Sequence, residues 1–306
     1  MLIFPGFLFL VVFALAAEYI DRKLHAKLQN RVGPPWFQPL ADLIKLAAKE
    51  DLIPSNVDPL LFRITPLVAL AATVTAFFYL PLWSTTAPFH FTGDLIVVLY
   101  LLTIPTVTFF LAGWYSRSVF SMLGAARCIM QLFAYEIPLF LSILAPALLA
   151  NTWSLSGMAA FYALHPAYAA LNVIGLLVAM VSLLGKLEKV PFDIPEAETE
   201  IVAGSFTEYS GRLLAIFRLA IGIEMVVGAS LIAAVFLPFG LNYGPVAGFA
   251  LYLAKILAIV CVLALSRTLF ARLRIDQMIN FCWQVAAPVA FAQLLIDLLV
   301  KGVLKS

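Results

Sequence analysis

The residues in this chain whose types and spacing suit chemistry are acids. The segment Val190 to Ser210 carries Asp193, Glu196, Glu198, Glu200 and Glu208. If a helix begins near Pro195, Glu196 and Glu200 share one face at i, i+4 and Glu198 points elsewhere. Carboxylates that close repel when charged, and repulsion with partial burial raises pKa values toward the range where protons are passed on. The bland reading is a solvated acidic loop that balances Lys186, Lys189 and Arg212; the interleaved Phe192, Ile194, Ile201, Val202 and Phe206 argue against it. Two more acids, Glu136 and Glu224, stand inside apolar stretches. At mid-bilayer an ionised carboxylate costs roughly 2.5 to 3.5 kcal/mol, so such groups face a protein interior and mark an ion path or a partner. A proton path is the preferred reading, with Arg218 and Lys255 as partners in the static alternative.

The elements that position these acids are set by lipid. Of 306 residues, 63% are hydrophobic and 12% charged, and the mean hydropathy is +1.02, a balance far from that of a soluble domain. Apolar stretches long enough to span a bilayer lie near 2–20, 65–83, 94–113, 126–150, 168–187, 213–237, 246–266 and 280–300. A backbone in lipid must satisfy its own hydrogen bonds, and these runs lack the alternation of barrel strands, so all eight are expected as helices. Pro105, Pro138 and Pro288 mark expected kinks. The first stretch resembles a signal peptide at Ala14-Leu15-Ala16, but no Lys or Arg precedes it and it is longer than such a core, so it is read as a mature span.

Basic residues alternate between the loops. Fifteen of the nineteen fall in or beside the segments 21–64, 114–125, 188–212 and 267–279, and none in the alternate loops. The positive-inside rule makes those four segments cytoplasmic loops of a single multi-pass membrane domain over 1–306, with both termini outside. In the first loop, Trp36, Leu40, Leu43, Ile44 and Ala47 recur at helical spacing, which predicts an amphipathic helix at the membrane surface or packed on its own loops. The near-neutral charge suggests no nucleic-acid partner. Cys128, Cys261 and Cys282 have no metal-ligand spacing and read as core thiols. His25, His90 and His165 carry no metal-ligand pattern, and no nucleophile with an adjacent base or phosphate-binding glycine loop is present. The chain does not look like a self-sufficient catalyst.

Five blocks between Glu18 and about Trp283 carry a family resemblance: Asp21-Arg22-Lys23-Leu24 with Arg31-Val32-Gly33-Pro34; Gln38 to Leu46 with Lys49-Glu50; Leu123-Gly124-Ala125-Ala126-Arg127 with Tyr135-Glu136; Pro191-Phe192-Asp193 through Glu208-Tyr209; and Arg272 to Gln277. In that order they resemble the H subunit of respiratory complex I and the equivalent membrane subunit of energy-converting nickel-iron hydrogenases. The resemblance implies eight spanning helices joining a redox arm to ion-pumping, antiporter-like subunits in a prokaryotic plasma membrane. It implies a proton path through Glu136, Asp193, Glu196, Glu198, Glu200 and Glu208. Glu224 does not match cleanly, because the complex I acid falls about one turn earlier, near Ile221. Arg22, Lys23, Arg31, Arg272, Arg274 and Asp276 are expected to face the hydrophilic arm, and positive-inside topology explains the basic ones equally well. No cofactor is expected in this chain; iron-sulfur clusters, and in the hydrogenase branch a nickel-iron centre, belong to partner subunits.

Three departures favour the hydrogenase branch. Only Pro35-Trp36-Phe37 separates the Gly-Pro and Gln-Pro motifs, where complex I has a longer stretch that shapes its quinone entrance; Trp283-Gln284 replaces a Trp-Lys pair; and Arg218 adds a base. The expected partner is then a ferredoxin-oxidising arm that reduces protons or a sulfur compound. The alternatives are a quinone-binding complex I subunit and a free-standing ion-coupled transporter. The second lacks the inverted repeats common in that class.

Overall fold

The computed structural model describes residues 6–196, 198–240 and 244–305, excepting the side chains at 198, 199 and 303–305. It is helical, with no strand among the described residues. In chain order the helices are α1 (Phe7–Leu28), α2 (Gln38–Ala47), α3 (Pro59–Phe78), α4 (Asp94–Tyr115), α5 (Val119–Ala150), α6 (Leu155–Leu164), α7 (Pro166–Leu171) and α8 (Val173–Lys186). They continue with α9 (Glu198–Ile201), a 3-10 turn at Gly204–Phe206, α10 (Gly211–Phe236), α11 (Pro245–Leu269), α12 (Ile275–Phe281), a π turn at Cys282–Ala286 and α13 (Ala287–Lys305). Each of the eight apolar stretches is helical over most of its described residues. Among the described residues six helical runs are long and apolar enough to cross a membrane: α3, α4, α5, α10, α11 and the run Ile275–Gly302. In α1 the charges Glu18, Asp21, Arg22 and Lys23 interrupt the apolar run, and α8 has 14 residues.

Helix boundaries depart from the sequence expectation where a helix continues past the expected span. Asp21 to Leu28 extend α1 into the segment expected as loop, and Val119 to Ala125 extend α5 in the same way. A helix end in contact with water or protein can satisfy its polar groups there, so hydropathy does not mark where helix stops. The fifth stretch is broken at Asn172 between α7 and α8, and α6 was not expected. Near Pro288 the helix widens into the π turn, with the Ala287 N–H donating to the Cys282 carbonyl. Proline lacks the N–H that would bond Gln284, and the wider turn relieves the ring's clash with that carbonyl.

The core is built around α10. Of its apolar window 89% is buried, against 22–61% for the other five runs. It packs against α1, α2, α3, α8 and α11. The acidic loop 190–210 lies against α4 and α5 and is held by its apolar residues: Phe192, Ile194, Ile201, Phe206 and Tyr209 are buried, while Val202 points outward. Tyr209 stacks on Phe62 of α3 at 3.9 Å between ring centroids. Gly204 sits at φ +52°, and a Cβ there would fall 1.8 Å from the Pro195 carbonyl oxygen. Gly124 of α5 faces this turn, where a Cβ would come 2.5 Å from the Gly204 backbone. Only glycine at both positions lets the loop close onto the helix.

Candidate functional site: a charged cavity at one end of the bundle

The loop, the ends of α1, α8 and α11, the first half of α10 and the segment between α11 and α12 line a cavity of about 370 Å³. Among the described residues six acids line it, Glu18, Asp21, Glu188, Asp193, Glu196 and Glu224, with six bases, Arg22, Lys186, Lys189, Arg218, Arg267 and Arg272. Helical spacing places Glu18, Asp21 and Arg22 on one side of α1. Asp21 is buried, and its Oδ2 accepts from Lys189 Nζ at 2.7 Å and from Arg267 at 3.3 Å. Glu18 pairs with Arg22 at 2.5 Å, and Arg22 reaches Asp42 of α2 at 3.0 Å.

At the inner wall, Lys186 and Glu224 form an ion pair at 2.9 Å with both side chains buried, 2% and 1% exposed. The ammonium also donates to the Leu102 carbonyl and lies 5.7 Å from the centre of the Tyr135 ring. Glu224 Oε2 has no hydrogen-bond partner. Such a pair is held by mutual compensation: either charge alone at that depth is strongly unfavourable. Neither partner named in the static alternative fills this place. Arg218 bonds Glu196 at 2.5 Å, and Lys255 caps the end of α10 through the carbonyls of Leu237 and Phe239.

Glu188 enters the cavity from the turn after α8, at φ +50°. Protein surrounds its carboxyl except toward the cavity, and it accepts from the Cys128 thiol at 3.2 Å. Burial pushes it up to about 8, the thiol opposes the shift, and the nearby carboxylates Glu196, Glu224 and Asp193 add to it. At neutral pH this carboxyl holds its proton among other acids, the arrangement a proton-exchanging group requires.

The candidate acids separate in space. Asp193, Glu196 and Glu224 line the cavity. The expected pairing of Glu196 with Glu200 on one helix face is not formed, because the helix covers only Glu198–Ile201. Glu200 faces out to Arg127 at 2.7 Å, and that hydrogen bond holds its carboxyl below the usual range. Glu208 lines a separate hollow with Leu52, Ile53 and Pro54. The side chain of Glu198 lies outside the described residues. Glu136 stands half-buried on α5, outside the lining but within Coulombic reach of Lys186. Of the expected arm-facing residues, Arg22 and Arg272 line the cavity, with Arg272 donating to the Asp193 carbonyl and standing 3.8 Å from its carboxylate. Lys23 donates to the carbonyls of Val32 and Pro34 at 2.9 and 3.3 Å. Arg31, Arg274 and Asp276 are exposed.

The sequence reading missed Glu18, Asp21 and Glu188, and it counted Lys186 as a loop charge. The signals were present: acids at helical spacing where the first span ends, and a lysine inside the fifth stretch.

Fold and site together define a multi-helix membrane protein with a charge-lined chamber at one end of its bundle. A profile of the NADH dehydrogenase family matches residues 2–298. The chain is 33% identical over 305 residues to the H subunit of NADH-quinone oxidoreductase from Carboxydothermus hydrogenoformans, covering 94% of this chain and 85% of that one. The H subunits of the same oxidoreductase from Dehalococcoides mccartyi and Bacillus thuringiensis are 36% and 34% identical, covering 94% and 98% of this chain and 82% and 94% of theirs. In structure it is similar to a chain of the membrane-bound sulfane sulfur reductase, an archaeal respiratory membrane complex, with a TM-score of 0.85, 24% identity, and coverage of 95% and 96%. The chain belongs to the NADH dehydrogenase family, as an H subunit of the complex I-like kind. The resemblance carried by the five sequence blocks therefore holds at the level of the family.

Proposed function

We propose that this chain is the membrane coupling subunit of a complex I-related respiratory complex, joining a ferredoxin-oxidising, hydrogenase-like redox arm to proton or sodium-ion translocation. The observation that carries the proposal is the cavity, where six acids and six bases meet around the buried Lys186–Glu224 pair. In this reading the chain crosses the membrane eight times, with both termini outside. The cavity faces the cytoplasm, and α2, with Leu40 and Ile44 exposed, lies on the membrane surface. Iron-sulfur clusters and the terminal redox centre sit in partner subunits. Electron arrival in the arm changes the field over the cavity, protons redistribute among Glu188, Asp193 and Glu196, and the Lys186–Glu224 pair passes the change of charge on to Glu136. Such short steps between groups of shifted affinity suit an electrostatic relay.

The test is the double variant Lys186→Met/Glu224→Leu in the purified complex, reconstituted into liposomes. It replaces the pair with apolar side chains, which buried pairs often tolerate. Redox turnover with ion flux per electron reduced several-fold is the expected result; wild-type flux per electron would refute the relay. A second reading rests on a cavity of about 330 Å³ between α1, α2 and α10, lined in part by Ala14, Leu15, Leu43 and Leu46. A lipid quinone would use that opening, and the relatives named for quinone oxidoreduction favour it. The ion pairs Arg22–Glu18 and Arg218–Glu196 stand where the two cavities join, which favours ions over an apolar tail. Quinone-dependent turnover blocked by quinone-site inhibitors would decide for the second reading.

A further inference from the structure

At the other end of the bundle, where α8 begins, an acid is buried with no base beside it among the described residues. Asp297 of α13 is 0% exposed, Gln293 one turn earlier 1%, and Asn172 and Tyr162 1% each. Their hydrogen bonds run in one direction. The Tyr162 hydroxyl donates to the Pro146 carbonyl at 2.8 Å. The Asn172 amide donates to the Tyr162 oxygen and to the Tyr168 carbonyl, both at 3.2 Å. The Gln293 amide donates to Asn172 Oδ1 at 3.3 Å and to Asp297 Oδ1 at 3.0 Å. Both amide orientations follow from this, since each NH₂ faces two acceptors.

Every donor of the cluster is thereby used. Two acceptors remain without a partner among the described residues, Asp297 Oδ2 and Gln293 Oε1. Buried acceptors and a buried carboxylate without a counter-charge are each strongly unfavourable. With all donors spent, an added proton, cation or water molecule can satisfy them, and of these only a proton or a cation also neutralises the carboxylate. The described charges nearest to it do not neutralise it. Lys301, one turn on, donates to Asn151 at 2.8 Å. On α5, Glu136 lies ten residues from Pro146, about 15 Å along the helix, and on α8 Lys186 lies fourteen residues from Asn172, about 21 Å. Tyr162 is the titratable group that faces Asp297 from α6.

We propose that the Asp297 carboxyl and the Gln293 side-chain oxygen bind a monovalent cation, a proton or a sodium ion, at the end of the bundle opposite the charged cavity. The site does not depend on the relay assigned to that cavity. Sodium suits an oxygen-only donor set of one carboxylate and neutral oxygens; a proton on Oδ2 discharges the same carboxylate.

The test uses the wild-type purified complex treated with dicyclohexylcarbodiimide, which attacks protonated carboxyls in apolar surroundings, with modification of Asp297 followed by mass spectrometry. In sodium-free buffer Asp297 should be modified several-fold faster at pH 6 than at pH 9. Protection by sodium chloride but not by potassium chloride identifies sodium, and pH dependence without sodium protection identifies the proton; either supports the site. Gln293→Leu should move the sodium or pH midpoint, and Asp297→Asn should abolish labelling of that peptide. Absence of Asp297 modification at every pH without sodium, or modification indifferent to both pH and sodium, would overturn the proposal.

Discussion

Lys186 and Glu224 set the energetics at the residue scale. Removing one member of a fully buried pair strands the other charge, so Lys186→Met should lower stability by about 3 kcal/mol, read as a fall in the thermal midpoint of the solubilised complex. Adding Glu224→Leu should recover most of that loss, since the strain lies in the unpaired charge. Glu188 gives a pH signature. Its carboxyl lies near 8 in the folded chain against an ordinary 4.5, so between these values the folded state binds the extra proton. Its contribution to stability is present at low pH and is lost as pH rises through about 8. Glu188→Gln should flatten the fall of a stability-against-pH curve between about 4.5 and 8, and an unchanged curve would remove the assignment. The sequence could not show this carboxyl's importance, because its environment is made by Cys128, sixty residues earlier, and by a left-handed turn.

At the element scale the acidic loop behaves as a packed piece of core. Gly204→Ala would place a methyl group 1.8 Å from the Pro195 carbonyl oxygen at a positive φ. It should open the loop, measured as faster hydrogen exchange and protease cleavage within 190–210. Gly302→Ala, with nothing within 4 Å of the new Cβ, should leave both unchanged. Hydropathy revealed the positions of all eight helical stretches, because a run of apolar residues in lipid has one backbone solution. It did not reveal their ends: the charged last turns of α1 and the first turns of α5 lie beyond the expected spans, yet they carry Asp21 and part of the seat for Gly204. The i, i+4 pairing of Glu196 and Glu200 failed for a related reason. Arg218 and Arg127 draw the two acids in different directions, and the chain between them forms one helical turn. Propensity and spacing are local, whereas these partners come from α10 and α5.

At the scale of the whole molecule, α10 and its neighbours support two polar sites at opposite ends of an apolar bundle. One is rich in paired charges and the other holds a single unpaired acid. Glu136 stands between them on α5, half-buried, with exposed Met130, Phe133 and Ile137 nearby. That setting suits an acid that hands charge to a neighbouring protein of the complex, and it is where the coupling account is most exposed to failure. The decisive measurement is ion flux per electron transferred in liposomes containing the complex with Glu136→Gln, which preserves side-chain size and removes the ionisable group. The account predicts an assembled complex whose redox centres still turn over while ion translocation per electron falls to a small fraction of wild type. Redox turnover with undiminished ion pumping would contradict it.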